Sequence, residues 1–345
     1  IPQMYLGVML MPLQVLIDYI LLKHIQNKAE NKSKEYKKKS LFLIGLAFLA
    51  RFLMAAVGWY TAVISAVLSC VFFLLYFLCS KESWADRIKQ YFLYSIAPWF
   101  VGMLLIMLQT PTGTSSFTYR MEYFYASSLD VINLFLPTGA YKISDLVPFL
   151  RDYMAENDLT LIGGDVQYCY LGCTALIALG IILSRKDDKR KKEVLCLTAS
   201  GVILLVLAIG PGFRFAEMLS TEEVSGYASY FMDRERVISL PWHALYKVFP
   251  LKSMRTVYRW LYGTRMAAFL LIAMAFGKLA EKQKHAEKRI FAVSKKIAAY
   301  MLVILCLLEN IPYNTSWNLM DSYKTYAYHT LKNVYPGEIC EELRD

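Results

Sequence analysis

Hydrophobic residues along this chain are grouped into long runs that polar segments separate. Runs of roughly 18–22 apolar residues are long enough to cross a hydrocarbon layer of about 30 Å. The pattern therefore predicts an all-α fold, a polytopic bundle of about eight transmembrane helices. The predicted spans are 1–22, two within 41–79, 91–109, 166–184, 194–210, 258–278 and 297–312.

The apolar run 41–79 is about twice as long as one span requires. Its centre reads Gly58-Trp59-Tyr60-Thr61, a mixture of small and interfacial residues that suits a tight turn. We therefore expect two helices here. The next segment, 80–90, with Tyr91 after it, places Trp84, Ile88 and Tyr91 on one face at helical spacing, which predicts a short amphipathic helix on the cytoplasmic leaflet of the membrane.

Lysine and arginine are concentrated in four of the polar segments: 23–39, 81–89, 185–192 and 278–296. Loops rich in Lys and Arg stay on the cytoplasmic side of a membrane. Eight crossings that start and end outside place all four segments on that side, so the hydrophobic pattern and the distribution of basic residues predict the same topology. The sequence thus predicts a multi-pass protein of the plasma (cytoplasmic) membrane with its long loops outside.

This topology divides the chain into two regions. Residues 1–312 form a transmembrane helical domain with outer loops 110–165 and 213–257, and 313–345 form an extracytoplasmic tail. The first residues, Ile1-Pro2, already read like the interior of a span. We therefore expect the sequence to be a fragment that lacks an N-terminal part, with the tail as the start of a truncated C-terminal domain.

Composition narrows the function classes. The chain is 57% hydrophobic with a net charge of +10, and its basic residues lie where topology and anionic lipids account for them. Membrane lipids are therefore predicted partners, and nucleic acid is not. The seven cysteines lie in or beside apolar runs as packing residues, and no set of residues has metal-ligand spacing. Motifs of soluble hydrolases, kinases and dinucleotide-binding enzymes are absent from the sequence.

The first candidate functional residues lie at the predicted outer end of the seventh span. Arg255 and Arg259 are four residues apart, so a helix would present both guanidinium groups on one face. Planar guanidinium groups at a membrane surface suit phosphate oxygens. The alternative is interfacial anchoring, because Tyr258, Trp260 and Tyr262 surround them in the manner of an aromatic belt.

Three more polar residues are candidates, each with an alternative. Arg51 and Arg265 lie within predicted spans, where an ionisable group indicates either a functional site or a structural pair with a buried carboxylate. Asp130, in the first outer loop, is an auxiliary catalytic candidate. It follows two serines, and its alternative role is that of a helix N-cap.

The order of several short segments resembles the middle and C-terminal part of bacterial glycosyltransferases of the GT-C type. A similar organisation occurs in YfhO-like membrane proteins. The segments are, in order, Leu129-Asp130-x-x-x-Leu134-Phe135-Leu136-Pro137, Tyr170-Leu171-Gly172, Ile209-Gly210-Pro211, Leu240-Pro241-Trp242, Phe249-Pro250-Leu251, Arg255-x-x-x-Arg259-Trp260, Leu308-Glu309 before Pro312, and Val334-Tyr335-Pro336. The family's arginine segment usually reads Arg-x-Pro-x-Arg-Phe, and here Val257 and Trp260 depart from it.

The resemblance implies transfer of a sugar from a polyprenyl-phosphate-linked donor to an extracytoplasmic acceptor. It implies that Arg255 and Arg259 bind the donor phosphate, and that the catalytic carboxylate lies in a first outer loop preceding this fragment. A non-catalytic membrane protein for lipid handling or assembly of cell-envelope polymers is the alternative. Sugar, acceptor, divalent-metal dependence and oligomeric state stay open.

Overall fold

The computed structural model describes a helical bundle together with parts of the segments that connect its helices. The described residues are 2–26, 34–79, 83–109, 124, 128–135, 170–183, 191–213, 215, 238–247, 251, 257–280 and 289–310.

Five helices form the first half of the bundle. They are α1 (Pro2–Gln26), α2 (Lys34–Val57), α3 (Trp59–Leu78), α4 (Trp84–Tyr91) and α5 (Ala97–Gln109). The break between α2 and α3 lies at Gly58, which confirms that the long apolar run is two helices. Helix α4 confirms the short helix predicted over 80–90, with Trp84 and Ile88 both exposed, and its N-cap is Ser83.

Four helices and several shorter elements form the second half. The helices are α6 (Thr174–Leu183), α7 (Lys191–Ile209), α8 (Leu261–Ala280) and α9 (Arg289–Asn310). Short 3₁₀ helices span Val131–Leu134, Pro241–Lys247 and Val257–Trp260. Strands β1 (Gly212–Phe213) and β2 (Ile238–Ser239) pair antiparallel, with Gly212 opposite Ser239. The described part of the chain is thus mostly helical, with one small ladder that the sequence pattern does not predict.

Within the described residues, four helical segments are long and apolar enough to cross a membrane. They are Lys38–Val57, Tyr60–Leu78, Lys191–Ile209 and Val257–Gly277. This supports the membrane character that the sequence predicts. The count of eight spans stays a prediction, as does the division at residue 312.

The described helix ends fall into two groups. Lys23 near the end of α1 contacts Glu193 at the start of α7, and Lys192 lies over the ring of Tyr76 near the end of α3. We call the end of the bundle that holds these two contacts the basic end. At about 1.5 Å per residue, α7 carries the chain roughly 28 Å from there to Ile209. The opposite end, which holds 128–135, 210–213 and Val257–Trp260, is called the loop end.

Helices α7 and α8 pack closely because glycines line their contact. A Cβ added at Gly263 would lie 2.6 Å from Leu204 Cδ1, and one added at Gly201 would lie 3.1 Å from the Cβ of Ala267. The Thr264 hydroxyl donates to the Gly201 carbonyl at 3.0 Å. Small residues and hydroxyl-to-carbonyl bonds of this kind hold helices together where water cannot drive association.

One predicted helix begins later than expected. The fifth span was predicted over 166–184, yet residues 170–173 are not helical and α6 begins at Thr174. The cause is Gly172, whose φ of 79° is left-handed and incompatible with a continuing α-helix. Residues 166–169 lie outside the described part of the chain.

Candidate functional site

The segment 128–135 is fixed to the loop end by backbone bonds. Leu129 N–H donates to the Ala208 carbonyl at 2.9 Å, and Leu171 N–H donates to the Leu134 carbonyl at 3.1 Å. The Ser128 hydroxyl donates to the Phe124 carbonyl at 2.8 Å. Three of the segments that carry the family resemblance thus meet here, although they are far apart in the sequence.

Gly210 is the residue around which these segments pack. Its φ is 79°, and an added Cβ would lie 2.2 Å from Ser128 Oγ and 3.0 Å from Val257 Cγ1. Its carbonyl accepts a hydrogen bond from the indole N–H of Trp242 at 2.9 Å. Only glycine fits this conformation and this space, which explains why glycine stands at the centre of the Ile209-Gly210-Pro211 segment.

Tyr246 fastens the 3₁₀ helix Pro241–Lys247 to α7. Its hydroxyl donates to the Leu207 carbonyl, and its ring lies 5.4 Å from that of Phe124. Burial raises the pKa of Tyr246 well above its usual value of 10.0, so the phenol stays protonated as a donor. The loop end is therefore held by specific polar contacts as well as by apolar packing.

Arg259 lies at this end, in the 3₁₀ helix Val257–Trp260. Its guanidinium carbon is 5.0 Å from the ring centroid of Tyr60, at the start of α3. Val257 and Trp260 beside it are both fully buried, whereas Arg259 is half-buried. This cation–π contact orients the guanidinium plane against the Tyr60 ring. Arg255 lies outside the described residues, so the predicted common face for the two arginines stays a prediction.

Asp130 is almost fully buried and acts as an N-cap. Its Oδ1 accepts from the Ile132 N–H at 3.1 Å, at the start of the 3₁₀ helix Val131–Leu134. This is the geometry of the capping alternative that the sequence left open. An auxiliary catalytic role for Asp130 is not tested by this geometry.

Glu309 binds the beginning of α6 with both carboxylate oxygens. Oε1 accepts from the Cys173 N–H at 2.8 Å, and Oε2 accepts from the Thr174 N–H at 3.1 Å and from the Thr174 hydroxyl. A negative charge at a helix N-terminus is stabilised by the free N–H groups there. The segment Leu308-Glu309 is thereby joined to Tyr170-Leu171-Gly172, two parts of the resemblance that sequence reasoning did not connect.

Arg265 lies one turn into α8 and contacts the end of α9. Its Nη2 donates to Asn310 Oδ1 at 2.9 Å, and its guanidinium carbon lies 6.0 Å from the Phe269 ring. Asn310 in turn donates to the Cys306 carbonyl at 2.8 Å. The described contacts of Arg265 therefore include an amide and an aromatic ring near the loop end.

Arg51, on α2, lies deep in the bundle and contacts α1, α3 and the turn before α5. Its Nη2 donates to Asp18 Oδ1 at 2.6 Å, and its side chain is completely buried. This is the buried-carboxylate pairing that the sequence offered as one alternative. Sequence reasoning missed Asp18, although the signal existed: it is a lone carboxylate inside the predicted span 1–22.

Among the described residues, no group of three or more His, Cys, Asp or Glu side chains could hold a metal ion. No protein-family model, no curated protein and no solved structure matches the chain. The function is therefore inferred from the local geometry at the loop end and from the charges within the bundle.

Proposed function

We propose that this chain is the membrane-embedded part of a glycosyltransferase of the GT-C type. It transfers a sugar from a polyprenyl-phosphate-linked donor to an extracytoplasmic acceptor. Arg259, with Arg255, holds the donor phosphate, and the general base is a carboxylate outside the described residues.

One observation carries the proposal. Segments as far apart as Leu129 and Ala208 are hydrogen-bonded at the loop end, and the half-buried Arg259 there lies on the face of Tyr60. A guanidinium fixed at one end of a membrane bundle suits a phosphate whose isoprenoid chain remains in the lipid. As the sugar–phosphate bond breaks, charge grows on the phosphate, and a fixed cation lowers the barrier.

The test is a transfer assay on the full chain in membranes. The assay offers radiolabelled polyprenyl-phosphate hexoses and pentoses and measures the label that reaches extracytoplasmic polymer. Arg259→Ala is expected to lower transfer at least about a hundredfold, because a lost electrostatic contact of this kind costs roughly 2.7–4 kcal/mol. Arg259→Lys keeps the charge but loses the planar fork, and should fall in between.

Arg87→Ala is the matched control, because Arg87 is bonded to the Leu78 carbonyl near the opposite end of the bundle. It should transfer at the wild-type rate. Wild-type transfer by Arg259→Ala at a normal protein level would overturn the phosphate assignment.

A second candidate function has its own observation. The carboxylates of Asp130 and Glu309 both bind helix N-termini. In these contacts both carboxylates have a structural role, which supports a non-catalytic protein that handles lipid or assembles envelope polymers. This protein would bind polyprenyl phosphate through Arg259 and transfer no sugar from any donor in the panel.

A further inference from the structure

Two cysteines meet at the basic end of the bundle. Cys79 is the C-cap residue of α3, and Cys196 lies in the second turn of α7. A side-chain hydrogen bond joins the two thiols, and both cysteines are free. They are far apart in the sequence, so the packing of α3 against α7 is what brings them together.

A second contact joins the same two helix ends. The ammonium group of Lys192, at the start of α7, lies 3.9 Å from the ring centroid of Tyr76, which is one turn before Cys79 on α3. Lys192 also interacts electrostatically with Cys196. The thiols are therefore held close to each other by the packing of the two helices as well as by their own hydrogen bond.

The two thiols differ in their exposure. Cys79 is exposed and directly follows the membrane-spanning segment Tyr60–Leu78, so it lies where the span ends. Cys196 is buried, with 4% of its surface exposed. A small oxidant from solution therefore reaches Cys79 first, and Cys196 is placed to react with the product. An accessible cysteine beside a second thiol is the arrangement of a redox-sensitive pair.

We propose that Cys79 and Cys196 form a reversible disulfide when hydrogen peroxide oxidises the protein. The Cys79 thiolate attacks the peroxide and breaks its O–O bond, which gives a sulfenic acid. The hydroxide that leaves takes up the proton that the Cys79 thiol released. The Cys196 sulfur then attacks the sulfenic sulfur, the S–S bond forms, and the second hydroxide leaves as water with the Cys196 proton. The pair loses two electrons and two protons, and one peroxide becomes two water molecules.

The location of the pair suits a reversible bond. The basic segments predict that this end of the bundle faces the cytoplasm, where thiols are kept reduced and disulfides are usually transient. Once formed, the bond links α3 to α7, and both helices reach the loop end, where Tyr60 contacts Arg259 and Leu207 accepts from Tyr246. The proposal is independent of the glycosyltransferase proposal, since neither cysteine lies at the loop end.

The first experiment maps disulfides in the full chain in membranes. The protein is treated with one equivalent of hydrogen peroxide, and the remaining thiols are blocked with N-ethylmaleimide. Peptide mass spectrometry should detect the peptides of Cys79 and Cys196 joined, two hydrogen atoms lighter than the separate peptides, at least about tenfold above the untreated protein. Dithiothreitol should separate them again.

Cys70→Ser is the matched control for this experiment. Cys70 lies in α3 as well, and its sulfur accepts from the Ser95 hydroxyl at 3.3 Å. The variant should give the wild-type yield of the joined peptides. Absence of the joined peptides from oxidised wild type, or a bond from Cys79 to another cysteine or to a second chain, overturns the proposal.

Two variants test the order of the steps. Cys196→Ser removes the second thiol, so dimedone should trap the sulfenic acid of Cys79 at least about fivefold more than in wild type. Cys79→Ser should leave Cys196 unmodified, because the buried thiol is not reached first. Equal dimedone labelling in wild type and Cys196→Ser, or oxidation of Cys196 in Cys79→Ser, overturns the assignment.

A melting experiment tests whether the bond fits the native packing. A disulfide that fits restricts the unfolded chain and stabilises the folded one. Peroxide should therefore raise the melting temperature of wild type in detergent by about 3 °C or more relative to Cys79→Ser treated in the same way. An unchanged or lower melting temperature would show that the bond forms only by distorting the helices, and it overturns the proposal.

Discussion

Nη2 of Arg51 lies 2.6 Å from Oδ1 of Asp18, and this ion pair joins α2 to α1 inside the bundle. The same Nη2 lies 3.3 Å from the Ser69 hydroxyl and 3.4 Å from the Tyr94 carbonyl. Tyr94 lies in a single π-helical turn, Phe92–Ile96, which joins α4 to α5. One guanidinium thus contacts α1, α3 and the turn before α5.

Replacing Asp18 by Ala should destabilise the protein strongly. The change leaves the Arg51 charge buried without its carboxylate, and breaking a buried pair in this way costs about 3–5 kcal/mol. We expect a lower melting temperature in detergent, measured by the loss of monodisperse protein on heating.

The double variant Asp18→Leu with Arg51→Met is the control for this prediction. Replacing both partners by apolar residues of similar size is often close to neutral. It should recover most of the lost stability if the pair is structural. A double variant as unstable as Asp18→Ala would contradict that interpretation, and restored stability with lost activity would indicate a functional pair.

Gly172→Ala should destabilise the start of α6. Alanine is disfavoured at a φ of 79°, and its Cβ would lie 2.3 Å from Glu309 Oε2. The strained conformation alone costs about 1–3 kcal/mol. Gly180→Ala is the matched control, because Gly180 lies within α6 and has nothing within 4 Å of an added Cβ. Equal melting temperatures for the two variants would contradict this prediction.

Much of the helical framework could be predicted from the sequence, because length and apolarity are local properties. The break at Gly58 follows from one small residue in an overlong run, and α4 follows from Trp84 and Ile88 at helical spacing. The cap at the start of α6 could not be predicted, because its carboxylate comes from Glu309, which lies 136 residues away from Cys173.

The candidate site was only partly predictable for a similar reason. An arginine inside an apolar run points to a partner, so Arg51 was found, but pairing it with Asp18 requires knowing which helices are neighbours. Arg259 was predicted from its spacing with Arg255 at the outer end of a span, whereas its contact with Tyr60 depends on the start of α3 and the 3₁₀ helix Val257–Trp260 meeting at the loop end.

Glu309→Gln should weaken the cap of α6 without abolishing it. Glutamine still offers one oxygen to the N–H groups of Cys173 and Thr174, but the charge that the helix N-terminus favours is gone. Bonds to charged groups contribute about 1.5–3 kcal/mol and neutral bonds about 0.5–1.5. Unfolding measurements should therefore rank wild type above Glu309→Gln, and Glu309→Gln above Glu309→Ala. A variant with Gln as unstable as the one with Ala would show that the charge carries the whole contact.

Trp242→Phe combined with Tyr246→Phe should loosen the loop end while leaving the bundle folded. The two changes remove the hydrogen bonds to the carbonyls of Gly210 and Leu207, at about 1 kcal/mol each. Hydrogen–deuterium exchange should rise in peptides covering Pro241–Lys247 and stay unchanged in α2, because local opening follows local contacts.

His243→Ala is the control, since His243 lies in the same 3₁₀ helix and its backbone N–H bond to the Leu240 carbonyl survives the change. If the double variant exchanges no faster than His243→Ala, these two side chains do not fasten the segment. If it does exchange faster, sugar transfer should fall with it, because the proposed phosphate site at Arg259 belongs to the same end of the bundle.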